Sequence, residues 1–333
     1  MKLHFHEPPP AQRTGGLDAA IRSLQTAMEK LGHTVAVNPV AGVADAAHFH
    51  GMWQPNFPSL ANQYRALGVP CIVSPHGMLE PWAWRHKRWK KLPYWHLIEK
   101  RWTRRAACIL ATAKIEAERL LRFFPRTRIA ALPLGLTGDA RPNYATARAK
   151  LGWAEDETVL LFLSRIHEKK GLDLLLGALT TLSLPERTRL VIVGPEEQPA
   201  YAVQCRDFAT QNAARLPLVE WHGAVWGEDR WAYLQSADLF CLPSHSENFG
   251  LAVLEACQCG TAVLTTTATP WAEPLAQRGF ICEPAIKSVR FALSAFFQTR
   301  PSPAQRASLA DWAFATYDWN VLAPRYAELY ASL

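Results

Sequence analysis

Short runs rich in β-branched and aromatic residues alternate with helical patterns from one end of this chain to the other. That alternation constrains the fold most, because strands separated by helices pair in parallel, and a parallel sheet needs both faces covered. The class is α/β. Candidate strands fall at 1–6, 35–40, 47–52, 70–74, 107–111 and 129–134, and a second series at 159–164, 189–193, 219–222, 239–243 and 262–266. Between the first two, Ile21, Leu24, Met28 and Leu31 recur on one helical face, and Gly32 stops the helix. At 333 residues the chain exceeds one ordinary domain. The polar, turn-rich stretch 137–145, with Gly138, Pro142 and Asn143, separates the two series. We assign 1–140 to an N-terminal domain, 146–315 to a C-terminal domain, and 316–333 to a helical tail packing back toward the first.

Composition narrows the class further. With 49% apolar and 20% charged residues there is material for two cores, which argues against a disordered chain. Seven cysteines, scattered and odd in number, read as reduced core thiols of a cytoplasmic protein. Cys257 and Cys259 have no second pair at zinc spacing, so no metal site is expected. The N-terminus carries no secretory signal, and no window approaches the ~20 apolar residues that cross a bilayer, so the chain reads as soluble or peripheral.

Three segments carry chemistry. In the first, Ser246-Glu247-Asn248-Phe249-Gly250-Leu251-Ala252-Val253-Leu254-Glu255 follows a strand and opens a helix expected near Phe249. Glu247 then lies just before the helix and Glu255 two turns inside, while the free amides of 248–251 and the helix dipole suit a diphosphate. The same residues read equally as an acidic cap plus a surface glutamate. In the second, Ser164-Arg165-Ile166-His167-Glu168-Lys169-Lys170-Gly171 joins a strand to a helix, and Arg165 and Lys170 could bracket a phosphate pair. Its alternative is a solvated basic loop. In the third, Gly15-Gly16 after the first strand would let backbone amides approach phosphates.

Taken in order, these segments resemble glycosyltransferase family 4, retaining enzymes of the GT-B fold. The Gly-Gly opening leads to Leu31-Gly32-His33-Thr34-Val35. It is followed by Ser74-Pro75-His76-Gly77-Met78-Leu79, by Ser164 to Gly171, and by Leu242-Pro243-Ser244 running into Glu247 and Glu255. The resemblance spans nearly the whole chain and implies two facing Rossmann-like domains with a donor cleft between them, the acceptor side N-terminal. It implies that Arg165 and Lys170 meet the donor diphosphate, and that Glu247 holds sugar hydroxyls with the backbone of Asn248, Phe249, Gly250 and Leu251. Glu255 would bind the ribose, and His76 would lie beside the sugar, unless it merely caps the Gly77 turn. Gly194, His222, Gly223 and Val225 would border the nucleotide base. No cofactor or metal is implied beyond a UDP- or GDP-linked donor.

Between Arg85 and Arg105 stand nine Lys or Arg and one Glu, a net of +8 that leaves the rest of the chain near −1. Trp82, Trp84, Trp89, Trp95 and Trp102 are interleaved with these cations. Trp95, Ile98, Trp102 and Ala106 share one helical face opposite Lys100, Arg101, Arg104 and Arg105, and Pro93 interrupts anything longer. Residues 82–105 either lean on an anionic membrane, on its inner, cytoplasmic side, or bury the tryptophans and leave the cations solvated. Nucleic acid explains none of the other motifs. The expected function is hexose transfer from a nucleotide-sugar to a saccharide or lipid-linked acceptor in polysaccharide or glycolipid biosynthesis. The alternatives are a catalytically silent sugar- or nucleotide-binding GT-B protein and a nucleotide-sugar epimerase.

Overall fold

A computed structural model describes residues 1–10, 15–82 and 88–333. The chain divides into two compact units, 1–137 with 316–333, and 138–315, and each is built on its own six-stranded, all-parallel sheet.

The first unit holds β1 (Lys2–His6), β2 (Thr34–Val37), β3 (Ala46–His50), β4 (Cys71–Ser74), β5 (Cys108–Ala111) and β6 (Ile129–Ala131), in spatial order β2-β1-β3-β4-β5-β6. Leu3 and Phe5 face a core made with Ile21, Leu24 and Met28 of helix Gly15–Lys30 and with Tyr326 and Tyr330 of helix Trp319–Ala331. Phe49 and Val73 face Phe57, Ala61 and Tyr64 of helix Phe57–Ala66. The two-residue period of a strand therefore sends His4 and His6 to this second face, where both rings bond the Tyr64 hydroxyl, at 2.8 and 2.9 Å.

Several expectations for this unit change. Gly15 and Gly16 start helix Gly15–Lys30 instead of forming a loop ahead of it. Leu31 leaves the apolar face and is exposed, because the helix ends at Lys30 and the chain turns at Gly32. Pro93 does not end its helix either. Arg88–Tyr94 runs through a π-helical turn, Trp95–Glu99, into Lys100–Thr103. A π turn takes in one extra residue and tolerates the missing proline donor, so the register rotates. Glu99 and Thr103 turn inward with Trp95 and Trp102, while Ile98, read on the same face as those tryptophans, is 39% exposed. Trp84 and the cations at 85 and 87 lie outside the described residues.

The second unit holds β7 (Thr158–Leu163), β8 (Thr188–Val193), β9 (Leu218–His222), β10 (Leu239–Leu242), β11 (Ala262–Thr266) and β12 (Phe280–Cys282), in order β12-β11-β10-β7-β8-β9. The sheet is wound outward in both directions from the β7–β10 pair, and open parallel sheets leave a ligand crevice beyond the strand ends at that reversal. β12 was not anticipated, since three residues are too few to show an alternation. Among the described residues, no helix is long and apolar enough to cross a membrane.

Candidate functional site

Two loops meet beyond the β7–β10 reversal. One leaves β7 through Ser164 to His167, makes a single tight turn at Glu168–Lys170 and, past Gly171, enters helix Leu172–Leu179. The other leaves β10 through Pro243 to Gly250 and enters helix Leu251–Gln258. The His245 amide donates to the Lys169 carbonyl at 2.8 Å, which pins one loop on the other. Gly171 makes this approach possible: at φ +69°, a Cβ there would lie 2.2 Å from the Pro243 carbonyl oxygen.

That docking brings Lys170 Nζ to 2.7 Å from Glu247 Oε1, and the Ser244 hydroxyl donates to the same oxygen at 2.6 Å. Both charged side chains are buried. Burial alone would raise the Glu247 pKa, but Lys170, Lys169 and the hydrogen bonds from Lys170 and Ser244 outweigh it and hold the carboxyl below its ordinary value. The result is a buried, ionised glutamate at the mouth of the sheet. On either side of it, Ser246 Oγ and Asn248 Oδ1 are buried without a hydrogen-bond partner among the described residues. Buried polar atoms without partners are rare, and two beside a buried ion pair mark a place where an external polar group would fit.

The other residues are distributed as follows. Arg165 forms an ion pair with Glu197 and does not join Lys170 on a shared partner. Glu255 pairs with Arg230 at 3.0 Å, and Arg230 lies over the Trp231 ring. The helix begins at Leu251 and not near Phe249, so Asn248 and Phe249 belong to the preceding turn. There the Phe249 carbonyl accepts from the Trp271 indole. On the neighbouring strands, the Gly194 amide reaches the carbonyls of His222 and Gly223, at 3.4 and 3.2 Å, joining the ends of β8 and β9. A Cβ at Gly194 would strike the Ser164 carbonyl at 1.9 Å, so this backbone too is fitted to the β7 loop. The His222 ring lies 3.4 Å from both Glu220 and the Tyr233 hydroxyl, while Gly223 and Val225 follow in the loop beyond.

In the first unit, His76 and Gly77 follow β4 with consecutive left-handed backbones, φ +49° and +74°. His76 does not cap the Gly77 turn. Glu116 does, accepting from the Gly77 amide at 2.8 Å and from the amide and hydroxyl of Thr112 at 2.7 and 2.9 Å. The Glu116 pKa is pushed up to about 7 by burial, against those three hydrogen bonds. Burial lowers His76 to about 4, so its ring is neutral at neutral pH. Its Nε2 meets His50 Nδ1 at 3.2 Å, and the two rings stack. Sequence reasoning assigned no role to Glu116, Arg230 or His50. Only His50 left a trace, in the alternating His48 and His50 of β3.

Comparison with known proteins matches both halves of the chain. The family model described as "Glycosyl transferases group 1" matches residues 143–303, and "Glycosyl transferase 4-like domain" matches 9–135. A D-inositol 3-phosphate glycosyltransferase of Xylanimonas cellulosilytica is 33% identical over 166 residues, 47% of this chain and 39% of that protein. The chain thus spans well under half the length of that relative. Among solved structures, sucrose-phosphate synthase from Thermosynechococcus elongatus superposes with a TM-score of 0.78 at 18% identity, over 100% of this chain and 99% of that one. Anabaena HepE in complex with UDP and glucose superposes at 0.75 with 17% identity, over 100% of both chains. The order of both sheets, the loops joined at the β7–β10 reversal and the two matched segments place this chain in glycosyltransferase family 4, with the GT-B fold.

Proposed function

We propose that this chain transfers a hexosyl group, with retention at the anomeric carbon, from a UDP- or GDP-sugar to a saccharide or lipid-linked saccharide in polysaccharide or glycolipid assembly. The observation that carries the reading is the buried Lys170–Glu247–Ser244 cluster at the β7–β10 reversal, flanked by unsatisfied Ser246 and Asn248. Neighbouring sugar hydroxyls at Glu247 would donate to its second carboxylate oxygen and to Asn248 Oδ1, and accept from the Ser246 hydroxyl. Lys170, Arg165 turned from Glu197, and the first amides of helix Leu251–Gln258 would meet the diphosphate. Gly15 and Gly16, at a second helix start, would add amides. Glu255 with Arg230 would address the ribose, Gly194 with His222, Gly223 and Val225 the base, and His76 the sugar.

In the step itself the bond from the anomeric carbon to the diphosphate oxygen breaks, and its electron pair stays on the phosphate. The acceptor oxygen bonds to the same face of that carbon, and its proton passes to the departing phosphate. Glu247 is no nucleophile here: Lys170 and Ser244 occupy one of its oxygens, and its charge serves the oxocarbenium-like sugar. Cationic side chains and a helix N-terminus neutralise the leaving group, so turnover is expected to survive chelation. Incubation with UDP- and GDP-sugars in EDTA tests this. Donor hydrolysis or transfer with anomeric retention supports the reading, an epimerised donor with no acceptor product replaces it, and no turnover without added Mg²⁺ or Mn²⁺ overturns the metal-free mechanism.

A peripheral membrane contact through the basic segment belongs to the same proposal. Trp89, Leu97 and Ile98 are exposed there beside the exposed Arg101, Arg104 and Arg105. Apolar side chains next to cations suit an anionic bilayer surface on the cytoplasmic side.

A further inference from the structure

On the first face of the first sheet, the side of Phe5 and Tyr330, β3 carries a chain of imidazoles that ends at His76. The Tyr330 hydroxyl bonds His48 Nδ1 at 2.8 Å, and the Ser74 hydroxyl bonds His48 Nε2 at 2.7 Å. The His48 and His50 rings lie 3.9 Å apart, and His50 Nδ1 meets His76 Nε2. Burial lowers the pKa of all three histidines, so at neutral pH each ring carries one proton.

The position of that proton follows from what the far side of His50 lacks. His50 Nε2 is buried and bonds nothing among the described residues. A buried N–H without an acceptor is costlier and rarer than a lone pair without a donor. The His50 proton therefore sits on Nδ1 and is donated to His76 Nε2, which must be the bare nitrogen of its ring. His76, being neutral, then carries its own proton on Nδ1, the ring nitrogen that no described residue bonds.

We propose that His50 is a positioning residue that locks His76 in the Nδ1–H tautomer, so that His76 offers substrate a hydrogen-bond donor and cannot act as a base. The donor would meet an oxygen of the sugar or of the acceptor, and this assignment of partner rests on the function proposed above. The tautomer itself does not.

Nitrogen-edited imidazole spectra of the whole chain at neutral pH decide the tautomer without reference to turnover. His76 is expected to show a pyridine-type Nε2 and a protonated Nδ1, and the reverse pattern or a charged ring would overturn the proposal. Kinetics then test the role. His50→Leu is expected to lower kcat about tenfold, the scale of losing an outer-shell partner of a functional histidine, with donor KM little changed. His50→Asn, whose amide nitrogen can replace Nδ1–H, is expected to recover most of that loss. If His50→Leu is as active as the unaltered protein while His76→Ala is inactive, His50 has no positioning role. If His76→Ala is itself fully active, the placement of His76 at the sugar fails, and the spectra alone judge the pairing.

Discussion

Lys170 Nζ and Glu247 Oε1 lie 2.7 Å apart although 77 positions separate them in sequence, each on a loop leaving one of the two strands at which the second sheet reverses. Breaking a buried pair by removing one partner leaves a desolvated charge, at a cost of about 3–5 kcal/mol, whereas neutralising both members can cost little. Lys170→Met should therefore destabilise the protein by about that amount, and Lys170→Met with Glu247→Gln by clearly less. Urea unfolding of the two single variants and the double variant measures the coupling. Additive effects would mean that the two charges do not depend on each other. The double variant should also lose the thermal shift given by UDP or GDP, because its diphosphate cation is gone.

The docking of the β7 loop on the β10 loop makes a second prediction. A Cβ at Gly171 would meet the Pro243 carbonyl at 2.2 Å and sit in a left-handed backbone, whereas one at Gly223 would meet nothing within 4 Å. The left-handed penalty and the overlap together suggest a loss of about 3 kcal/mol for Gly171→Ala, against roughly 0.5 kcal/mol or less for Gly223→Ala. Denaturation midpoints compare the two. Equal midpoints would show that the loops are not held together through Gly171.

Much of this was legible because the signals are periodic. The eleven strands expected from sequence recur with shifts of a few residues at their ends, and β11 lies at the very positions read from Ala262 to Thr266. A strand of three residues such as β12 has no period to read. A π turn shifts helical phase by one residue, which no period of 3.6 foresees, and so Glu99 is buried beside Trp95 and Trp102 while Ile98, read on their face, is exposed. At the site, Arg165, Lys170 and Glu247 stood out as charges between a strand and a helix, and Glu255 as a charge inside the helix that follows. Which of them pair depends on contacts across 25 residues or more: Arg165 with Glu197, Lys170 with Glu247, Arg230 with Glu255. Glu116 left no mark, because a glutamate near a helix start reads as ordinary until its burial and its bond to the Gly77 amide are seen.

The exposed mixture of Trp89, Leu97 and Ile98 with Arg101, Arg104 and Arg105 predicts salt-sensitive flotation with anionic vesicles. Each cation near such a surface contributes about 1 kcal/mol. Replacing the three arginines with glutamine should therefore weaken binding by about a hundredfold at low salt, and vesicles of neutral lipid should bind neither protein. Flotation unaltered by the triple substitution would remove the membrane from the proposal.

Protonation of the first unit gives the last prediction, and its sign comes from two opposed sets of groups. Burial lowers His6 and His76 to about 4 and depresses His4, His48 and His50 as well. Their unfolded value is about 6.5, so the folded unit binds fewer protons than the unfolded chain between the two values, and its stability is full above pH ~6.5 and drains as pH falls toward 4. Glu116 acts in the opposite sense. Raised to about 7 from 4.5, it binds more protons when folded, so its contribution is full below pH ~4.5 and is lost as pH rises through 7. Each shift of two and a half units corresponds to about 3 kcal/mol, and five histidines outweigh Glu116 together with Glu99, which burial also raises. Tm should therefore climb from pH 4.5 to 6.5. His76→Asn should flatten that climb, and Glu116→Gln, by removing one of the opposing slopes, should steepen it up to pH 7. A Tm that is level across this range in the unaltered protein, or a Glu116→Gln curve shallower than its parent, would show that these groups are not buried in the protonation states assigned to them.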